Sequence, residues 1–579
     1  MRKIINTPEG FVDEVLDGIL LAHPDQLRAA TQDRRALVRS DAPKAGRVGI
    51  VTGGGSGHLP FFLGYVGRGL CSAVAVGNVF SSPSAAQIHA ASRAVNGGAG
   101  LLYLYGNYGG DVYNFDIAAE LCRAEGVEVR TVLGADDIQS APADRAAERR
   151  GVAGLVLVYK VAGAIADRGA SLAEVAGVAQ RAADATRTMG VGLSPTILPA
   201  AGEATFQLDE GEMEIGVGIH GERGSHRGAL ETADEITDRF IAELEQELDL
   251  TAGRRVAVLV NGLGATPLEE LYVIYRRVHQ ELTQRGVEIG YRLVGEYVTS
   301  LEMAGASLSI MQLDEQLEEL LHDPAGSPFF QQGSAPLPGD AGPGGADSGV
   351  GGDAAADGSE AAGSSPGSGA GSGAGRVSDG SPSRLRAQLI EAMTRLRDSA
   401  DELRELDAVL GDGDLGITIS AGADAVAATL AELPEDSDAR SVLTRAGLAF
   451  SSANPSTFAA LVGGGTIAAA EAVAAGEHLN RDSTVAVVEE LGARIAERGG
   501  AQPGDKTLLD VLIPVQLALA AGADADAVRE VADRAVAESA EWQSRRGRAA
   551  WQQERSIGQR DPGAVAILRF IEALASTDG

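Results

Sequence analysis

Apolar and polar positions follow two different periods along the first part of the chain. Residues 48–52, 73–76, 101–105 and 127–133 are short, nearly continuous apolar runs of the kind that form buried strands. Residues 84–95 and 114–124, between them, repeat apolar positions at helical spacing. The alternation predicts an α/β unit with a largely parallel sheet. A second α/β unit is expected after it, with strands at 212–219, 255–260 and 290–294 and helices at 229–247 and 268–285. Beyond residue 383 the chain becomes rich in Ala and Leu at helical spacing, with almost no strand signal, and reads as all-helical. Residues 333–383 consist mainly of Gly, Ser, Ala, Pro and Asp without an aromatic residue, too little apolar surface to offset the entropy of ordering, so a disordered linker is expected. As a flexible coil, its roughly fifty residues reach on the order of 40 Å. The expected division is therefore 1–185 and 186–332 as two α/β units, 333–383 as linker and 384–579 as a helical domain.

Composition narrows the class. The 579 residues suffice for several hydrophobic cores. Basic side chains number 48 against 81 acidic ones, and the net charge of −33 argues against nucleic acid or an anionic membrane surface as a partner. The two cysteines, Cys71 and Cys122, are too few for a disulfide framework. The first residues lack the apolar core of a signal peptide and no uncharged run reaches membrane-spanning length, so a cytoplasmic protein is expected. Nearly all basic residues are arginine. Lys506, one of only four lysines (with Lys3, Lys44 and Lys160), runs against that habit and is expected to have a specific role.

Three carboxylates, Asp407, Asp412 and Asp414, fall within eight residues, with Gly411 and Gly413 between them. Asp407 reads as the end of a helix over 385–406, and the glycines allow a loop that folds Asp412 and Asp414 back towards it. Such crowding of like charge calls for a cation, and Mg2+ is the hard ion that carboxylates, water and phosphates hold together. An acidic surface turn is the alternative reading. In the first unit, Thr52-Gly53-Gly54-Gly55-Ser56-Gly57-His58 directly follows a predicted strand, and a Gly-rich turn there lets backbone N–H groups approach a polar ligand. Its spacing departs from the dinucleotide fingerprint, so a nicotinamide enzyme is not expected. Gly106-Asn107-Tyr108-Gly109-Gly110-Asp111 follows another predicted strand, and Gly216-Val217-Gly218-Ile219-His220-Gly221-Glu222 closes a third. A lone histidine in a turn is more often structural than catalytic. His58, Asp111 and His220 nevertheless all fall at carboxyl ends of expected strands, where open α/β sheets bind ligands, and can share one pocket.

Gly-Gly-Gly-Ser-Gly-His, then Gly-Asn-Tyr-x-Gly-Asp, then Gly-Ile-His-Gly-Glu resembles the substrate half of the dihydroxyacetone kinases. Asp407-x4-Asp412-Gly-Asp414, Gly504-Asp505-Lys506-Thr507-x2-Asp510 and Glu554-Arg555-Ser556-Ile557-Gly558-Gln559-Arg560-Asp561-Pro562-Gly563 resemble their nucleotide half. The resemblance spans nearly the whole chain outside the linker and is to the single-chain, ATP-dependent form. It implies a ketose-binding half made of the two α/β units and a helix barrel that binds ATP and Mg2+. It further implies a covalent hemiaminal between His220 and the ketone, with His58 and Asp111 hydrogen-bonding the substrate and Asp111 accepting the proton of the attacking hydroxyl. Gly53, Gly54, Gly55, Ser56, Gly57, Asn107 and Gly110 would contribute substrate contacts. Asp407, Asp412 and Asp414 would hold the metal; Gly413, Leu415, Gly416, Thr418, Gly464, Thr466 and Lys506 would contact ATP, and Asp561 and Gly563 would close the adenine side. A homodimer is expected, with a small ketose as the partner molecule.

The chain departs from the family pattern in places. Leu59 stands where many members have Glu, and Asn78 where they commonly have Asp. Both departures resemble relatives that act on erythrulose, so a ketotetrose, D- or L-erythrulose, is expected ahead of dihydroxyacetone. Gly463-Gly464-Gly465-Thr466-Ile467-Ala468 replaces the family's usual Gly-Gly-Thr-Ser-Gly. Two other readings stay open: a catalytically silent ketose-binding regulator, against which the intact carboxylate set argues, and a flavin-nucleotide cyclase side activity at the same metal site, which would not need His220.

Overall fold

The computed structural model describes residues 3–199, 204–222, 224–333, 382–410, 415–454, 456–474, 476–546, 549 and 556–576. Nearly all of the expected linker, residues 334–381, lies outside the described residues, as do Asp412, Gly413 and Asp414.

Strands β1 (Leu27–Ala29), β2 (Ala36–Arg39), β3 (Gly49–Ser56), β4 (Ala73–Val79), β5 (Leu101–Gly106) and β6 (Val129–Gly134) form one sheet in the order β1-β2-β4-β3-β5-β6. Its four inner and far strands, β4, β3, β5 and β6, run parallel, and β2 and β1 are antiparallel additions at one edge. Helices α1 (Phe11–Ala22), α2 (Ala85–Val95) and α3 (Gly109–Ala124) accompany it, α2 starting in a reciprocal cap between Ser84 and Gln87. The glycine-rich run expected as a turn is instead the second half of β3, where Gly53 and Gly54 pair with Ala75 and Val76 of β4. Helix α3 begins at Gly109, five residues before the helical spacing starts, so Asp111 sits in its first turn.

Two helices that the apolar pattern did not reveal follow, α4 (Leu155–Asp167) and α5 (Leu172–Asp184). Eleven of the 13 residues of α4 are buried, and a helix that is apolar all round shows no amphipathic period. It packs in one core that takes Ile50 and Leu102 from the first sheet and Ala257 and Leu259 from the second. The Tyr159 hydroxyl bonds Thr52 Oγ1 at 2.7 Å, and Lys160 Nζ donates to the Leu320 carbonyl at 2.9 Å, so the polar groups of this helix are paired on both sides.

The second sheet contains β7 (Thr186–Gly192), β8 (Glu212–Ile215), β9 (His226–Ala229), β10 (Arg255–Gly262), β11 (Glu288–Gly295) and β12 (Gly305–Gln312), in the order β11-β10-β12-β7-β8-β9. Only the β10–β11 pair is parallel. Helices α6 (Ala233–Leu244), α7 (Leu268–Gln284) and α8 (Glu315–His322) belong to this unit. The strand expected over 212–219 stops at Ile215, because Gly216 at φ 80° turns the chain towards His220. Arg149 joins the two units by a bidentate pair with Glu247 at 2.6 and 2.7 Å.

The remaining helices are α9 (Pro382–Arg397), α10 (Ala400–Leu410), α11 (Leu415–Ala431), α12 (Ala439–Ala453), α13 (Thr457–Ala470), α14 (Arg481–Gly499), α15 (Leu509–Ala521), α16 (Ala525–Ala540) and α17 (Pro562–Ala575). The helix expected over 385–406 is broken at Asp398 and Ser399 into α9 and α10. Successive contacts run α9, α11, α12, α13, α14, α15, α16, α17 and back to α9, which closes a barrel around an apolar cavity of about 960 Å³. No helix among the described residues is long and apolar enough to cross a membrane.

The barrel touches the first α/β unit through α3. Arg494 and Arg498 of α14 both donate to Glu120 of α3, at 3.0 and 2.7 Å. Gly464 of α13 lies so close to Ile117 that a Cβ there would sit 2.8 Å from its side chain. Replacing Glu120 by Arg sets three like charges together at this joint, where such juxtaposition costs several kcal/mol. We expect Glu120→Arg to loosen this joint while both halves stay folded, read as faster proteolysis between the halves with an unchanged far-UV circular dichroism spectrum.

Candidate active site

Three strand ends and one turn converge. β3 leads through Gly57 to His58, β4 leads to Phe80, β5 leads through Tyr108 into the first turn of α3 with Asp111, and the turn after β8 brings His220 from the second sheet. The His58 ring stacks on Phe80 with centroids 4.7 Å apart and planes 12° from parallel. The His220 ring stands edge-on to His58 at 4.8 Å, to Phe80 at 5.2 Å and to Tyr108 at 4.8 Å. Phe80 has φ 57°, a left-handed conformation that an aromatic residue rarely adopts, so its surroundings hold it on the histidines against a local cost.

Burial decides the protonation of this cup. His58 Nδ1 lies 2.8 Å from the Thr299 carbonyl oxygen; a carbonyl only accepts, so Nδ1 carries the hydrogen and Nε2 keeps its lone pair. Burial, reinforced by the charge of His220, pushes His58 down to about 3, so the ring is neutral at physiological pH. Asp111 is 6 % exposed, and burial pushes its carboxyl up to about 7 against the opposing effects of the Ser82 hydroxyl and His220. His58 Nε2, Asp111 Oδ1, Asn114 Oδ1 and the Tyr108 hydroxyl are buried with no protein partner. Folded interiors leave few such atoms unpaired, and their concentration here fits a small polyhydroxylated ligand. Glu222 Oε1 lies 2.7 Å from His220 Nδ1, and Glu222 Oε2 accepts the His220 backbone N–H at 2.9 Å. Burial opposes the charged form of Glu222, but His220 and Arg150 outweigh it and hold the carboxyl well below its ordinary range.

At the helical half, Asp407 in the last turn of α10 accepts the backbone N–H of Leu415 at 3.2 Å, so it faces the turn between α10 and α11. Thr418, buried in the first turn of α11, donates to Ser456 Oγ at 3.1 Å and accepts from Asn454 Nδ2 at 2.9 Å. Asp561 caps α17 through the Ala564 N–H at 2.8 Å. Burial pushes the Asp561 carboxyl up to about 6, and the nearby Asp510 and Asp407 charges add to that rise. No group of three or more His, Cys, Asp or Glu with metal-binding geometry occurs among the described residues. The described carboxylates supply oxygen donors and crowded negative charge, which is the donor chemistry that fits Mg2+.

The two halves match two family models, the Dak1 domain over residues 17–329 and the DAK2 domain over residues 409–576. The chain belongs to the dihydroxyacetone kinase family. It is similar to an L-erythrulose 1-kinase of Mycolicibacterium smegmatis, 36 % identical over 588 residues and covering 99 % of both chains. It is also 37 % identical to a D-erythrulose kinase of the same organism, over 98 % of this chain and 97 % of the relative. The crystal structure of the dihydroxyacetone kinase from C. freundii in complex with AMP-PNP and Mg2+ superposes with a TM-score of 0.54 at 29 % identity, covering 100 % of this chain and 99 % of that one.

Within this family architecture the expected ketose-site residues His58, Asp111 and His220 are brought together, and Gly53 to Gly57 form the strand end beside them. Gly110 packs against Ser82, and the Asn107 side chain is spent on the Ala147 and Arg149 carbonyls at 2.9 and 2.8 Å. Leu415 and Gly416 open α11, and Gly563 follows Asp561 in the first turn of α17. Three expected ATP contacts take other places. Lys506 is 1 % exposed and its Nζ donates to the carbonyls of Ala540, Trp542 and Ser556, which uses all three of its donors. Gly464 and Thr466 lie in the second half of α13, not at a helix start; Gly464 meets Ile117, and the Thr466 hydroxyl bonds back to the Val462 carbonyl at 2.7 Å. Of the two departures, Leu59 packs against the apolar core and Asn78 is exposed, so the residue that lies on His58 is Phe80. Glu222, Thr299 and Tyr108 went unassigned in the sequence. Glu222 and Tyr108 stood inside the quoted motifs, whereas Thr299 carried no signal.

Two outcomes follow from the burial. Folded Asp111 keeps its proton up to about 7 while the unfolded chain loses it near 3.8, so stability falls as pH rises between those values and then levels off. Asp111→Asn removes that slope, and its gain in melting temperature over the parent is expected to be largest above about pH 7, by calorimetry across the range. Lys506→Met removes the donor to the Ala540, Trp542 and Ser556 carbonyls and is expected to cost ~1–3 kcal/mol in chemical denaturation without changing the KM for ATP.

Proposed function

We propose that the chain is an ATP-dependent kinase that phosphorylates the terminal hydroxyl of a short ketose, a ketotetrose such as D- or L-erythrulose ahead of dihydroxyacetone. The observation that carries the reading is the cup itself: His220 with Nε2 unbonded among the described residues, beside the unpaired His58 Nε2 and Asp111 Oδ1. A neutral imidazole nitrogen can add to a ketone, and the resulting hemiaminal on His220 grips a small sugar that offers few other handles and discriminates against polyols. His58 Nε2, neutral and unpaired, accepts a hydrogen bond from a substrate hydroxyl. Asp111, with its carboxyl near 7, accepts the proton of the attacking hydroxyl, close to the optimum for a base working at neutral pH. The full-length similarity to erythrulose kinases supports the ketotetrose preference.

Asp407, with Asp412 and Asp414, would hold Mg2+ against the ATP phosphates, and the metal when bound neutralises charge on the transferred group. Asp561 and Thr418 fix the helix starts around that end of the barrel. The α3–α13 and α3–α14 contacts lie within one chain and support delivery of the phosphoryl group in cis.

ATP consumption with Mg2+ is expected to be highest in kcat/KM with an erythrulose, lower with dihydroxyacetone and negligible with glycerol. His220→Ala is expected to abolish ketose-dependent turnover, a loss of ~10⁴-fold or more. A mixture of the His220→Ala and Asp412→Ala variants is expected to stay inactive; recovery would assign delivery to the partner chain of a homodimer.

A further inference from the structure

We infer that Glu222 is the residue that makes His220 a nucleophile: it holds the imidazole in the tautomer whose lone pair is on Nε2 and pairs with the positive charge the ring develops as it bonds to the ketone. The inference rests on the covalent capture proposed above and names the group that capture depends on. Glu222 is a positioning residue, since it acts on the substrate through His220.

Three features of the turn carry it. A carboxylate only accepts, so the 2.7 Å contact from His220 Nδ1 to Glu222 Oε1 places a hydrogen on Nδ1, and in the neutral ring the lone pair is then on Nε2. The other carboxylate oxygen accepts the His220 backbone N–H at 2.9 Å, so one side chain fixes both the ring and the main chain that carries it. Arg150 stands behind the carboxylate, 3.7 Å from Oε2, and is itself held by Asp137 and the Gly216 carbonyl. The third feature is Gly218. A Cβ at that position would lie 2.0 Å from Glu222 Oε2 and 2.4 Å from Arg150 Nη1, although its φ lies outside the left-handed region. The backbone there would accept alanine, and glycine is required because the ion pair occupies the place of a side chain.

The other groups around His220 do not substitute. His58, Phe80 and Tyr108 offer ring edges and faces. Asp111 acts on His220 through its charge, and its free oxygen is unpaired. Among the described residues, Glu222 is the one that bonds Nδ1.

The step balances. The Nε2 lone pair forms the C–N bond, the carbonyl π pair moves to oxygen, and that oxygen takes a proton from water. The positive charge left on the ring is paired with the Glu222 carboxylate until the Nδ1 proton leaves to solvent, so the adduct is a neutral N-substituted imidazole and no net proton is gained or lost. Without the carboxylate, the ring would share its hydrogen between both nitrogens and carry an unpaired positive charge on addition.

The test uses the full chain with D-erythrulose, L-erythrulose and dihydroxyacetone. Non-denaturing mass spectrometry reads the ketose adduct, steady-state kinetics read kcat and KM separately, and ¹⁵N-histidine NMR reads the His220 tautomer. Glu222→Gln is isosteric and is expected to lose the adduct and to lower kcat/KM for ketose ~10²–10⁴-fold, with the KM for ATP unchanged and Nε2 partly protonated. Glu222→Asp is expected to recover part of the loss. Gly218→Ala, which pushes the carboxylate aside without touching its chemistry, is expected to fall in the same direction, and combining it with Glu222→Gln is expected to add little. A wild-type adduct that persists undiminished in Glu222→Gln overturns the role of Glu222 and leaves covalent capture standing. Additive losses in the double variant overturn the claim that Gly218 acts by making room for Glu222. Absence of an adduct in the wild type, or an adduct that survives His220→Ala, overturns capture itself and the role of Glu222 with it.

Discussion

The removal of water along the seam between the two α/β units is the constraint from which the chemistry of the histidine-lined cup derives. The units share one apolar core through α4, and His58 and Asp111 are carried beside it by the end of β3 and the first turn of α3. Desolvation then does opposite things to the two groups: it keeps an imidazole neutral and it keeps a carboxylic acid protonated almost to pH 7. The exception is Glu222, which stays charged because Arg150 and His220 surround it. The cup therefore has one ionic wall and several neutral ones.

Much of this was legible in the residues. The strands at 101–105 and 255–260, the change to helices after 383 and the convergence of His58, Asp111 and His220 all follow from pattern and motif. What stayed hidden has physical causes. Helix α4 is buried on every side, so its apolar residues have no period to detect. Strands β7 and β12 are central in a mainly antiparallel sheet and pair with segments far along the chain, which no local window reveals. Gly53 and Gly54 looked like a turn because glycine favours turns, yet here the lack of side chains admits the Phe115 and Phe62 rings against a strand. Lys506 stood out in the sequence and was expected at ATP, whereas its ammonium bonds three carbonyls, a role that residue type does not distinguish from binding phosphate. The Thr299 carbonyl that fixes His58 is a backbone atom, and side-chain identity says nothing about where such an atom points.

The joint between the halves combines a polar clasp with close apolar contact. Glu120 offers one carboxylate to two guanidinium groups, and Gly464 brings α13 within contact of Ile117. Both contacts sit on α3, whose first turn holds Asp111. The helix that seats the nucleotide-side barrel is thus also the helix that orients the proposed base, so movement of the barrel bears directly on the geometry of proton transfer.

The scarcity of lysine acquires a further meaning once the side chains are placed. Lys160 and Lys506 are buried, at 2 % and 1 % exposure, Lys3 is paired with Glu302, and Lys44, the most exposed of the four, is paired with Asp41 at 3.1 Å. Arginine carries the rest of the positive surface, and a guanidinium is not acylated as an amine is. Acyl phosphates and thioesters, which acylate amines, would find few side-chain amines to modify on this protein.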